Sequence, residues 1–161
     1  MKLLISALTK FILGVVLVGA LVFLPAGSLN FFGGWLFMAL LFIPVFILGV
    51  VLFIKSPSLL EKRLSSKEKE RTQKGVVGAS ALIFIIGFVL SGLDYRFGWT
   101  RLHISVSIAA SVGFLLSYLL YAEVMRENAY LSRTIEVKEG QKVVDTGLYG
   151  IVRHPMYAAT L

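Results

Sequence analysis

The fold of this chain is decided by residues 11–54, FILGVVLVGALVFLPAGSLNFFGGWLFMALLFIPVFILGVVLFI, which contain no charged side chain. A transmembrane helix needs about 20 mostly apolar residues, because the hydrocarbon core of a bilayer is about 30 Å thick. The run is long enough for two such helices, and the proline and glycine of PAGSLN at residues 25–30 separate them. We therefore predict membrane spans at residues 4–24 and 31–54, with a kink at Pro44.

Composition extends this prediction to the rest of the chain. Of its 161 residues, 57% are hydrophobic and 16% are charged, whereas soluble domains average about 45–50% and about 25%. Two more apolar runs, at residues 75–93 and 103–122, predict a third and a fourth span. The chain has no cysteine and two distant histidines, so we predict no disulfide and no metal site.

The positive charges indicate how the spans are oriented. Residues 55–74 hold seven Lys or Arg against three Glu, and the turn between the first two spans holds neither. The positive-inside rule therefore places this basic loop and both termini in the cytoplasm. We interpret the net charge of +7 as topology signals and lipid-headgroup contacts, and we predict no nucleic-acid partner. The loop itself is either a solvated helical hairpin or a regulatory or lipid-binding element.

The end of the chain differs from the four apolar runs. From Glu123 to Asp145 the charges alternate in sign, and residues 134–137 and 142–144 have the pattern of short extended pieces. Pro155 then opens another apolar stretch, as proline is tolerated in a helix's first turn. We therefore predict an all-α polytopic transmembrane bundle with four spans in residues 1–122. Residues 123–161 would supply a short extended cytoplasmic cofactor-binding segment and the start of a fifth span.

Residues 147–159, GLYGIVRHPMYAA, place several polar and aromatic side chains together at the predicted membrane surface. Arg153 offers a planar fork of donors that suits a carboxylate or phosphate. His154 exchanges protons near neutral pH, and Tyr149 and Tyr157 offer faces that attract a cation such as a sulfonium. A purely structural interpretation also fits, in which these residues anchor the helix at the interface. At the opposite surface, we expect Asp94 and Arg96 to form an ion pair in a loop.

A resemblance bears on these two interpretations. The block is similar to a motif of the isoprenylcysteine carboxyl methyltransferase family and related phospholipid methyltransferases. The resemblance covers about the last 35 residues. It is carried by Glu127-Asn128, Ser132, residues 135–137, Gly140, Lys142-Val143-Val144, Gly147, Tyr149, Arg153-His154-Pro155 and Tyr157. The four spans agree with the family only in being membrane helices.

The resemblance implies a multi-span enzyme that uses S-adenosyl-L-methionine without a Rossmann domain. In the family this cofactor lies in a cytoplasmic pocket, and a lipophilic or prenylated acceptor enters from the bilayer. The residues expected to bind the cofactor are Gln141, Lys142, Val143, Val144, Tyr149, His154, Pro155, Met156 and Tyr157. His154 and Arg153 are the candidates for a catalytic role. The family pattern continues beyond residue 161, so we expect these residues to form an incomplete site with little activity of its own.

The expected reaction is an in-line displacement in which an acceptor carboxylate attacks the sulfonium methyl carbon. Positioning and a dry pocket then matter more than acid–base chemistry. An amine acceptor, as in phospholipid N-methylation, would need a base, and His154 could serve. Alternatives are a sterol-reductase-like enzyme that binds NADPH through the same block, and a non-enzymatic membrane scaffold or transporter subunit. The chain's small size suggests a prokaryotic cytoplasmic membrane.

Overall fold

The computed structural model describes residues 2–64, 71–127, 146–152 and 155, with the backbone alone for residues 71–74. All regular structure in these residues is helical. The helices are α1 (Lys2–Ala26), α2 (Phe32–Lys55), α3 (Pro57–Leu64), α4 (Arg71–Phe97), α5 (Ile104–Glu127) and α6 (Leu148–Ile151). The all-α prediction is therefore confirmed for the described part of the chain.

Four helices are long and apolar enough to cross a membrane: Lys2–Ala26, Phe32–Lys55, Gly75–Phe97 and Ile104–Glu127. They correspond to the four predicted spans. The first, third and fourth are a few residues longer than their apolar runs, and the second is shifted by one residue. Their side chains are largely exposed within the protein, as expected for helices whose outer surface meets lipid tails instead of water. The chain is thus an integral membrane protein by the length and composition of these helices. Pro44 lies inside the continuous α2.

The helices fall into two compact units. The first comprises Met1–Ile47 and Lys67–His103, and the second comprises Leu48–Ser66 and Ile104–Leu161. In the first unit, α1 packs along α4, and the α1 backbone lies very close to Gly92. A Cβ added there would overlap the Val22 carbonyl oxygen and would lie 3.0 Å from the Ala26 nitrogen. Only glycine allows this separation, which is how small residues commonly bring membrane helices together.

The first unit also contains the turn between α1 and α2. Pro25, which we expected to break the helix, lies within the last turn of α1, because the hydrogen bonds continue to Ala26. Gly27 ends the helix instead, with φ at +64°, the left-handed conformation that glycine adopts at helix C-termini. The Phe23 ring lies 4.7 Å from that of Trp35, so aromatic packing holds the turn.

The C-terminal end of α4 corrects one prediction. Asp94 and Arg96 lie in the last turn of the helix and not in a loop. The Asp94 carboxylate accepts hydrogen bonds from the Thr100 N–H at 2.8 Å and its hydroxyl at 2.7 Å. The Arg96 guanidinium lies over the Phe97 ring and next to Gly27. At this position its positive charge interacts favourably with the dipole at the C-terminus of α1. The expected Asp94–Arg96 ion pair is therefore wrong, since each side chain binds a nearer partner.

The second unit begins with the last residues of α2. The Ser56 N–H donates to the Leu52 carbonyl at 2.8 Å, and the Ser56 carbonyl then accepts from Leu59 and Leu60. Ser56 is thus the residue between two helices, and Pro57 takes the first position of α3, where its missing N–H costs nothing. The helical part of the predicted hairpin is confirmed over α3. Full solvation of α3 is wrong, because Leu59 and Leu60 are each only 6% exposed.

Candidate functional site

The described part of the site begins with a tight turn at residues 146–149. The Tyr149 N–H donates to the Thr146 carbonyl at 3.0 Å, which closes a four-residue turn. Gly147 has φ +55° and ψ −126°, close to the values of about +60° and −120° at the second position of a type II′ turn. That position needs a positive φ, so glycine is the residue that fits it. The short helix α6 continues directly from this turn.

The turn is attached to the end of α5 by a carboxylate. Glu127 is the last residue of that helix, and its Oε2 accepts a hydrogen bond from the Leu148 N–H at 2.9 Å. The same carboxylate lies so close to Gly147 that an added Cβ would overlap it. Glycine is required at position 147 by its positive φ, whereas the flexible Glu127 side chain could move away from an added Cβ. This hydrogen bond joins the start of α6 to the end of α5.

Tyr149 and Pro155 are the predicted site residues that the structure describes with their side chains. Tyr149 lies in α6, where its side chain is partly buried, and Pro155 is helical and buried. Helix α6 ends when the Val152 N–H donates to the Leu148 carbonyl at 2.9 Å and Val152 becomes extended. Arg153 therefore follows immediately after an extended residue that terminates a single helical turn.

The remaining predicted site residues lie outside the described part of the chain. They are Gln141, Lys142, Val143, Val144, Arg153, His154, Met156 and Tyr157. The extended pieces at residues 134–137 and 142–144 lie outside it as well, and so does the fifth span apart from Pro155. Among the described residues, no group of His, Asp and Glu is arranged to hold a metal ion.

Two features of the second unit were not predicted as parts of a site. Glu127 is one of the residues that carry the family resemblance, at the end of a helix. Its hydrogen bond to the turn could not be predicted from the sequence. Arg63 on α3 lies over the Tyr121 ring of α5, with its guanidinium carbon 5.4 Å from the ring centroid. The signal for Arg63 was its spacing of three and four residues from Leu60 and Leu59, which places the three on one face of a helix.

The described residues show an integral membrane protein in which the turn at residues 146–149 is hydrogen-bonded to the end of the fourth apolar helix. Comparison of the chain with known protein families, curated proteins and solved structures found no match. The functional argument therefore depends on the chemistry of the residues themselves.

Proposed function

We propose that the protein is a membrane methyltransferase that binds S-adenosyl-L-methionine and methylates a lipophilic acceptor, in the manner of isoprenylcysteine carboxyl methyltransferases. The observation that carries the proposal is the position of the Arg153-His154-Pro155 block. It starts five residues after the turn residue Leu148, whose N–H is bound by Glu127 at the end of a span. A donor held beside this turn would be at the boundary where a water-soluble cofactor can meet a lipid-dissolved acceptor.

The residue types of the block suit the parts of this donor. The sulfonium is a cation, and the partly buried Tyr149 together with Tyr157 offers aromatic faces that attract cations. Arg153 and His154 offer donors for the methionine carboxylate, and the 141–144 segment offers backbone groups for the adenine. When bound, the donor supplies an electrophilic methyl group. The protein's task is then to align the acceptor and to exclude water, since charge is neutralised as the reaction proceeds.

The proposal includes a membrane topology. Pro155 begins a fifth span, and the basic loop at residues 55–74 and both termini are cytoplasmic. The site then faces the cytoplasm, where the donor is found, in what we propose to be a prokaryotic cytoplasmic membrane. The acceptor enters laterally between helices and could bear a carboxylate, an amine or a thiol.

Calorimetric titration of the full-length protein in lipid nanodiscs tests the proposal. We expect saturable binding of S-adenosyl-L-methionine, and His154→Ala should weaken it by about tenfold, the effect of losing roughly 1.4 kcal/mol of interaction. His103→Ala is the matched control, because it removes the chain's other histidine from a position outside the block. Binding of NADPH in place of the methyl donor would refute the proposal in favour of a reductase, and binding of neither would favour a scaffold.

A further inference from the structure

Helix α3 has a buried face that contains an arginine. Leu59 and Leu60 are nearly fully buried, and Arg63 follows them by four and three residues, so the three side chains share one side of the helix. The other basic residue in this turn, Lys62, is on a different side. The sequence thus puts a charged side chain where an amphipathic helix normally presents an apolar one.

The buried part of Arg63 is one edge of its guanidinium. Nε and Nη2 are both buried, and neither has a hydrogen-bond partner within the part of the chain that the structure describes. These two nitrogens are on the same side of the planar group, so their N–H bonds point in parallel. This edge is the one that binds two oxygens of a carboxylate or phosphate at once.

Tyr121 contacts that guanidinium. The ring lies beneath the Arg63 Cζ, 5.4 Å from its centroid, which is the geometry of a cation–π contact. The contact satisfies the face of the guanidinium but not its edge. Burying charged N–H donors without acceptors is unfavourable, because these donors lose their hydrogen bonds to water. We therefore expect an oxygen acceptor to bind at this edge of the guanidinium.

The position of the site along α5 indicates which oxyanion lies nearby. Tyr121 precedes the end of α5 at Glu127 by six residues, which is about 9 Å along a helix axis. Arg63 comes after the end of the second span at Lys55, on the short helix that follows it. Both residues are therefore near the ends of apolar helices, at the level where the phosphates of lipid headgroups are concentrated.

We propose that the Nε–Nη2 edge of Arg63, whose guanidinium lies over the Tyr121 ring, is a binding site for a phosphate group, supplied by a phospholipid headgroup or by free phosphate. The site is separate from the residues assigned to the methyl donor and holds whether or not that assignment is correct. A bound phospholipid would fix α3 against α5 within the second unit.

Native mass spectrometry of the full-length protein in detergent micelles tests the site with three probes. Phosphatidylglycerol carries both acyl chains and phosphate, a diacylglycerol of the same chains lacks the phosphate, and inorganic phosphate lacks the lipid. We expect phosphatidylglycerol to be retained and diacylglycerol not. Arg63→Lys keeps the charge but loses the parallel donors, and should weaken retention by about tenfold, as expected for one lost hydrogen bond between charged groups. Arg63→Gln should weaken it further.

Arg126→Gln is the matched control. It removes a positive charge from the end of α5, but its side chain is 75% exposed and already paired with Glu123, so retention should be unchanged. Inorganic phosphate binding that also depends on Arg63 would support the site with a free source of phosphate. Equal retention by the wild type and Arg63→Lys, equal losses in Arg63→Lys and Arg126→Gln, or failure of both phosphate probes would overturn the proposal. Because Arg63→Lys keeps the cation over Tyr121, it should remain folded, which an unchanged thermal midpoint in lipid-free detergent would verify.

Discussion

Replacing Gly92 by alanine should destabilise the protein by forcing α1 and α4 apart. The added Cβ would overlap the Val22 carbonyl oxygen and would lie 3.0 Å from the Ala26 nitrogen and 3.1 Å from the Pro25 Cβ. All three atoms belong to backbone or to a rigid proline ring, so no flexible side chain can move away. The contact is relieved only when one helix shifts relative to the other.

The size of the effect follows from the geometry. Real Cβ atoms essentially never lie within 3.0 Å of another heavy atom, so the helices must separate by roughly 0.5–1 Å, which forfeits about a quarter to a half of each contact's attraction. Overpacking of this kind typically costs about 1–3 kcal/mol. Alanine also has a higher helix propensity than glycine, by about 0.8–1.0 kcal/mol in water, and this gain opposes the loss.

Gly87→Ala, on the same helix, is a control for the change in helix propensity. No atom of the described residues lies within 4 Å of a Cβ placed at Gly87, so Gly87→Ala has the propensity gain without the clash. The two variants should differ in free energy of unfolding by about 1–3 kcal/mol, measured by SDS titration in detergent micelles with tryptophan fluorescence. Equal unfolding curves for the two would refute the close approach of α1 and α4.

Two more predictions concern local contacts, and a third concerns the membrane topology. Glu127→Ala should weaken binding of the methyl donor several-fold, because the turn loses its hydrogen bond to α5. Glu127→Gln keeps an acceptor and should bind the donor nearly normally. Equal binding by the two variants would contradict the role of this side chain. Gly147→Ala should cost about 1–3 kcal/mol of stability through its positive φ, and an unchanged SDS unfolding curve would disprove the turn. The chain has no cysteine, so single cysteines can report the topology. Leu29→Cys should react with an impermeant maleimide on intact cells, and Ser65→Cys should react only after permeabilisation. The reverse pattern would contradict the proposed topology.

The four spans could be predicted from sequence because hydropathy reports a single physical quantity, the length of chain that can replace water by lipid. Hydropathy predicts the ends of the helices less accurately. The apolar run of the third span stops before Asp94, but helical hydrogen bonds continue until the Gly98 N–H donates to the Asp94 carbonyl at 2.7 Å. In the same way α5 continues beyond its apolar run through the Glu123–Arg126 pair, which is spaced one turn apart. Polar residues end a hydrophobic span without ending a helix.

The candidate site was predictable only in its residue types. Gly147 and Tyr149 could be selected from the sequence, but the hydrogen bond that joins Leu148 to Glu127 spans 21 residues, and no local pattern encodes where such a loop closes. Arg63 was counted among the topology-setting charges of a basic loop. The burial of its Nε and Nη2 depends on the packing of α3. Leu59 and Leu60 indicate that packing in the sequence, but the many charges of the segment favour a solvated loop.

The central claim, that residues 141–157 hold a sulfonium methyl donor, is tested most directly by photochemical labelling. The full-length protein in nanodiscs would be irradiated with methyl-labelled S-adenosyl-L-methionine, digested, and the labelled peptides identified by mass spectrometry. The account predicts an adduct within residues 141–157 that disappears when excess unlabelled donor is present and when His154 and Tyr157 are both changed to alanine. A competed adduct confined to another part of the chain, or no competed adduct at all, would contradict it.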